Sequence, residues 1–167
     1  MTKKEALKQI KELEKYIESC DKNEEWVNID YSVIPKETFE KYGGKPFQIM
    51  KCKMRKGDKV WNNITWFDAK KEAENLGYRL PSIQEMLVLL DAYKEKYPNN
   101  ADIHHNEFLG IEELSYGESV SYEWIDAPVP VTRGGDWGDG TTAGAFTLYL
   151  LWVPSSAYYN VGFRCAR

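Results

Sequence analysis

Histidine, cysteine and late-chain lysine are all scarce in this 167-residue sequence, and each scarcity excludes something. His104 and His105 are adjacent, so their side chains do not converge in regular structure, and no HxH, HxxxH or HExxH spacing exists to hold a metal. Cys20, Cys52 and Cys165 are scattered and odd in number, which argues against a disulfide framework or a zinc site. Buried free thiols are the expectation, with a Cys52–Cys165 pair as the alternative. No apolar run approaches the roughly 20 residues of a membrane span, and the polar start at residues 1–11 has no signal-peptide pattern. The protein is therefore expected to be soluble, without an N-terminal signal peptide and without membrane insertion.

Lysine stops at Lys96. From Tyr97 onward three arginines face nine acidic residues, leaving −6; with −4 for the whole chain, the first 96 residues carry +2. A negative total argues against a general nucleic-acid role. Charge of either sign nearly vanishes near the C-terminus: between Trp137 and Phe163 only Asp139 is charged, although 29% of the chain is. The same span holds Trp137, Phe146, Tyr149, Trp152, Tyr158, Tyr159 and Phe163, set among Gly, Ser, Thr and Pro. Phe146, Leu148, Leu150 and Phe163 suit the core of a small sheet. Tyr158 and Tyr159, between Ala157 and Asn160, fit it poorly. Aromatics on a charge-poor, loop-rich surface supply contact area to a partner at low entropic cost.

Length and a hydrophobic content of 43% suit one domain with a real core. Thr2 and Glu5 form a capping-box pattern, and Leu7, Ile10, Leu13 and Ile17 make an apolar stripe on a helix to about Ser19, expected to be covered by the domain, with a second chain as the alternative. Glu25–Val33 and Phe47–Met54 read as strands, with Pro35, Gly43, Gly44 and Pro46 punctuating the segment between them. Gly57-Asp58 reads as a turn. Trp66–Leu76 reads as a helix with Trp66, Ala69, Ala73 and Leu76 inward, ended by Gly77. Ser82 and Glu85 form a second capping box, followed by Met86, Leu90, Tyr93 and Tyr97 at helical spacing and stopped by Pro98. Tyr122–Ile125, Ala145–Leu150 and Val161–Ala166 read as strands, with Pro128 and Pro130 breaking the chain. Helices followed by short strands imply an α+β fold with much irregular backbone.

The motifs of catalysis are missing. Asp136 and Asp139 lack the further oxygen ligands of a calcium loop. Gly134, Gly135, Gly138, Gly140 and Gly144 are not followed by Lys-Ser/Thr, and the two aspartates among them would repel a phosphate. Ser155 and Ser156 have no nucleophile-elbow context, and no carboxylate pair stands out. The expectation is a protein that is not an enzyme and has neither metal nor cofactor.

Two segments carry a resemblance. Thr65–Glu85, TWFDAKKEAENLGYRLPSIQE, resembles the helix and Arg-Leu-Pro turn of the formylglycine-generating-enzyme type of C-type lectin fold. Arg133–Arg167, with its Arg-Gly-Gly start and Gly-Phe-Arg ending, resembles the variable region of diversity-generating retroelement target proteins of that fold. The resemblance covers roughly the last 110 residues. With the length and patterning above, this gives a single C-type lectin-like domain over 1–167, with an N-terminal helix and strands over 1–55, which match no motif of the family, and a variable region over 133–167, which the resemblance implies. The implied architecture has two helices, short antiparallel strands and much irregular loop.

In that family a reverse transcriptase mutates adenines copied from a template repeat, and the altered codons diversify scattered surface positions. The resemblance implies a scaffold of Trp66, Arg79, Pro81, Arg133, Gly134, Gly135, Trp137, Gly162, Phe163 and Arg164. It implies variable, ligand-binding positions at Asp136, Gly138, Asp139, Thr142, Tyr149, Leu151, Trp152, Ser156, Tyr158 and Tyr159. The implied function is a display protein, expected as a monomer on a viral particle or cell surface, that binds a macromolecular ligand, in the first instance a protein. The alternatives are a metal-dependent oxidase of the formylglycine-generating type and a structural or assembly subunit.

Overall fold

The computed structural model describes residues 5–8, 10–11, 25–57, 59–96, 109–111, 122–127, 131–133, 148–149 and 153–167, with the backbone alone at 133, 148 and 149. Residues 5–8 and 10–11 are helical, within the expected N-terminal helix. The domain does not cover its apolar stripe where it is described: Leu7 and Ile10 are each 50% exposed.

Strand β1, Trp26–Ile29, pairs antiparallel with β2, Phe47–Met50, from Trp26↔Met50 to Ile29↔Phe47. Both are shorter than expected. β1 stops because Asp30 turns the chain. Its carboxylate accepts the Ser32 hydroxyl and the Ser32 N–H, the latter at 2.8 Å, while its carbonyl accepts the Ile34 N–H at 3.0 Å. The same two bonds from Ser32 hold the Asp30 carboxyl below the usual carboxylate range. Between the strands lies a helix not anticipated, α1, Lys36–Tyr42. Residues read as loop punctuation are its start and stop. Pro35 precedes the first turn, and Gly43, at φ 68, takes the left-handed conformation that closes a helix, its N–H reaching the Phe39 and Glu40 carbonyls.

Arg55–Lys56 (β3) and Lys59–Val60 (β4) form a hairpin with Gly57 at φ +67 in the expected turn; Asp58 lies outside the described residues. Helix α2, Trp66–Asn75, is capped by Thr65, whose hydroxyl accepts the Asp68 N–H at 3.0 Å. Ala69 and Ala73 are fully buried, as expected. Leu76 is not. It follows the last helical residue, Gly77 at φ 79 carries the chain away, and the leucine is left exposed. Helix α3, Ile83–Lys96, begins at the expected capping box: Ser82 N–H donates to Glu85 at 2.8 Å and Glu85 N–H to the Ser82 hydroxyl at 3.2 Å. Met86, Leu90 and Tyr93 are buried, while Tyr97 lies outside the described residues.

A four-stranded sheet has the order β7-β6-β5-β8, from Leu148–Tyr149, Val131–Arg133, Tyr122–Ile125 and Val161–Phe163. β6 lies where only a break was expected. The β5–β8 pair is parallel, which corrects the all-antiparallel expectation. One core cluster joins β1, β2, α1 and α3 through Ile29, Phe39, Phe47, Ile49, Met86 and Leu89. The other lies under α2 and the large sheet, with Ala69, Ala73, Trp124, Val161, Phe163 and Cys165. The arrangement is α+β, as expected. No helix among the described residues is long and apolar enough to cross a membrane.

Candidate functional site

The chain approaches β8 through residues 153–160, an irregular segment on the surface. Two short turns shape it: Ser156 N–H donates to Val153 O at 3.1 Å, and Val161 N–H to Tyr158 O at 3.2 Å. A distant stretch, 61–67, fastens it. Trp66 N–H donates to Pro154 O at 3.1 Å, Asn63 N–H to Tyr158 O at 3.0 Å, and the Asn62 side-chain amide to Tyr159 O at 2.6 Å. Asn63 has φ 54, a left-handed conformation that asparagine tolerates better than most residues. Asn160 is buried, and its carbonyl accepts the Tyr122 N–H at 3.0 Å, which ties the end of the segment to the sheet.

Exposure alternates along the segment although it is not a strand. Val153, Ser155, Ala157 and Tyr159 are exposed; Pro154, Ser156 and Tyr158 are half-buried. Tyr159 is 69% exposed. Tyr158, expected beside it as an outward side chain, instead packs against the cluster that holds Ile64, Trp124 and Phe163. The cause is the anchoring. Both carbonyl and ring of Tyr158 are engaged inward, so its neighbour is turned out.

Among the other expected variable positions, Tyr149 lies in β7, where its Cα pairs with that of Thr132. Asp136, Gly138, Asp139, Thr142, Leu151 and Trp152 lie outside the described residues, as do the scaffold positions Gly134, Gly135 and Trp137. The remaining scaffold positions hold the frame. Trp66 Nε1–H donates to Ile125 O at 2.9 Å, joining α2 to β5. Arg79 donates to both Glu85 carboxylate oxygens, at 2.8 Å through Nη1, and that carboxylate raises the arginine's pKa. Pro81 is buried between this turn and α3, and its carbonyl accepts the Asp126 N–H at 2.9 Å. Arg133 pairs its backbone with Glu123 and Leu148. Gly162 and Phe163 sit in β8 beside Glu123 and Trp124. Arg164, fully buried, donates to Glu123 at 3.1 Å and to the carbonyls of Met50 and Lys51 at 3.1 and 2.7 Å.

Residues that sequence reasoning did not single out complete the surface. Phe67, exposed at the first turn of α2, lies edge-on to Trp66 at 5.4 Å between ring centroids. Trp61 is half-buried, edge-on to Phe163 at 5.6 Å, with the Lys56 ammonium 4.9 Å from its ring centroid. Val153 and Ser155 are outward although the variable set omitted them. The available signal was the run Trp61-Asn62-Asn63-Ile64-Thr65-Trp66-Phe67, rich in aromatic and amide side chains just ahead of a helix.

Among the described residues no group of three or more His, Cys, Asp or Glu side chains is arranged to hold a metal ion. Cys52 and Cys165 are free thiols, so the alternative of a disulfide between them is not realised. Burial pushes the Cys165 thiol up to about 12, leaving it protonated and a poor nucleophile. What the surface offers chemically is rigid aromatic area, amide and hydroxyl groups, and lysine ammonium groups. No protein-family model matches the chain, and no curated protein or solved structure matches it.

Proposed function

We propose that this chain is a ligand-binding display protein of C-type lectin fold, with C-terminal surface residues diversified by a retroelement on a fixed scaffold. The observation that carries the reading is Tyr159: a large side chain, 69% exposed, on an irregular segment whose backbone is held by a separate part of the chain. A binding surface needs contact groups whose replacement leaves the frame intact. Val153, Ser155, Ala157 and Tyr159 meet that condition, and the Arg164, Trp66 and Arg79 bonds supply the frame. The ligand is a macromolecule, in the first instance a protein, because flat aromatic and hydroxyl groups suit an extended interface better than an enclosing pocket.

Amplicon sequencing of this gene across a natural population tests the reading. Substitutions should concentrate at codons of the variable positions, including Tyr159, and spare those of Gly162, Phe163 and Arg164. They should match adenines in a nearby imperfect repeat beside a reverse-transcriptase gene. Uniform variation along the gene, or none in the last segment, defeats the proposal.

A further inference from the structure

A second chemical feature borders the exposed tyrosine. Lys56 and Lys59 are direct Cα partners across the β3–β4 hairpin, and both are exposed. Like charges directly opposite on one face of a strand pair repel. Among the described residues neither lysine forms a salt bridge that would relieve this. The Lys56 ammonium is held over Trp61, and Trp61 is fixed in turn by Phe163. The next residue, Asn62, grips the Tyr159 carbonyl. The paired lysines therefore meet a half-buried indole, and the next residue ties them to the backbone that carries the outward phenol. The neighbouring C-terminal segment brings no charge to this surface, since no charged residue occurs from Gly140 to Phe163, and Asp58, between the two lysines in sequence, lies outside the described residues.

We propose that this surface takes an acidic segment of a protein partner. One or more of its carboxylates sit on Lys56 and Lys59, and an apolar or aromatic side chain lies against Trp61 and Tyr159. This rests on the display reading and deepens it: the hairpin lies outside the segment expected to vary, so it confers a constant preference for acidic ligands while the variable positions choose among them. Charge complementarity selects the occupant. Two adjacent ammonium groups gain from a partner carboxylate the ion pair that no described residue gives them. A long polyanion would have to meet the remainder of a chain whose net charge is −4, whereas a short acidic segment would not.

The test pans a random-peptide display library on the immobilised full chain, then measures enriched peptides as synthetic ligands by fluorescence anisotropy at low and high salt. The expected result is enrichment of Asp and Glu beside an aromatic residue. Affinity should fall about tenfold in the Lys56→Glu and Lys59→Glu variants and weaken with salt. The milder Lys56→Gln and Lys59→Gln variants should give a smaller loss in the same direction, and they serve if a charge reversal does not fold. Four outcomes overturn the inference: enriched peptides without an acidic excess, affinity unchanged by the lysine variants, no enrichment at all, or tighter binding of a single-stranded oligonucleotide than of any peptide. Affinity that drops with Tyr159→Ala but ignores both lysines defeats this inference and leaves the display reading standing. The display reading falls separately, on the population sequencing.

Discussion

Tyr158 and Tyr159 are adjacent, and one covalent bond apart their surroundings differ completely. The first packs, half-buried, against the core cluster under α2 and the large sheet, while the second projects into solvent. Removing a half-buried ring forfeits burial and leaves a void, whereas removing an exposed one changes little. Tyr158→Ala should lower unfolding free energy by about 1–3 kcal/mol and Tyr159→Ala by less than about 0.5 kcal/mol, read from urea titrations. Equal losses would show that Tyr159 is also core. Cys165 gives a pH signature. Its ordinary value of 9.0 is raised to about 12 by burial, so below 9 the thiol is neutral in folded and unfolded chains alike. As pH climbs past 9 the unfolded chain sheds a proton that the fold retains, and stability contributed by the neutral thiol is lost progressively toward 12. Cys165→Ala should flatten that alkaline decline in thermal melts. In the native protein iodoacetamide should label Cys52, which is half-buried, before Cys165.

At the scale of elements, the start of α3 concentrates several bonds on one carboxylate. Glu85 accepts the Ser82 N–H and both terminal nitrogens of Arg79, so it caps the helix and fixes the preceding turn together. Glu85→Ala should cost about 1–2 kcal/mol, the range of a lost cap, and Glu85→Gln less, because an amide oxygen still accepts one of those donors. Breaking the exposed Lys36–Glu40 pair with Lys36→Ala should cost under about 0.5 kcal/mol by the same melts. This contrast marks what could be read in advance. α2 and α3 were legible because their caps and apolar stripes lie within a few residues of each other. α1 was not, since its seven residues bury only Phe39 and give no stripe to detect. β6 escaped because its three residues owe their conformation to β5 and β7. The outward positions of 153–160 were legible as a composition but not as a pattern. Which side chains face out is decided by bonds from Asn62, Asn63 and Trp66, and the Asn62–Tyr159 contact spans 97 positions of sequence.

Across the whole molecule, Arg164 joins pieces that lie far apart in sequence. Its guanidinium reaches Glu123 on β5 and the carbonyls of Met50 and Lys51 at the end of β2, while the chain beyond β8 runs on to Ala166, which forms isolated bridges with both Ile49 and Arg79. The β1–β2 sheet and the large sheet therefore meet at one buried side chain, and the turn before α3 joins them two residues on, through the backbone of Ala166. A buried ion pair gains little over well-packed apolar groups, but removing one partner strands the other charge away from water. Arg164→Met should thus cost about 3–5 kcal/mol, with Glu123 left buried and two carbonyls without their donor. Adding Glu123→Gln removes the stranded charge, so the double variant should be more stable than the single one. Urea denaturation of the four chains in that cycle measures the coupling directly. Additive losses would mean that the guanidinium matters only for the carbonyls of Met50 and Lys51, and that the ion pair does not help to hold the two sheets together beneath the exposed surface.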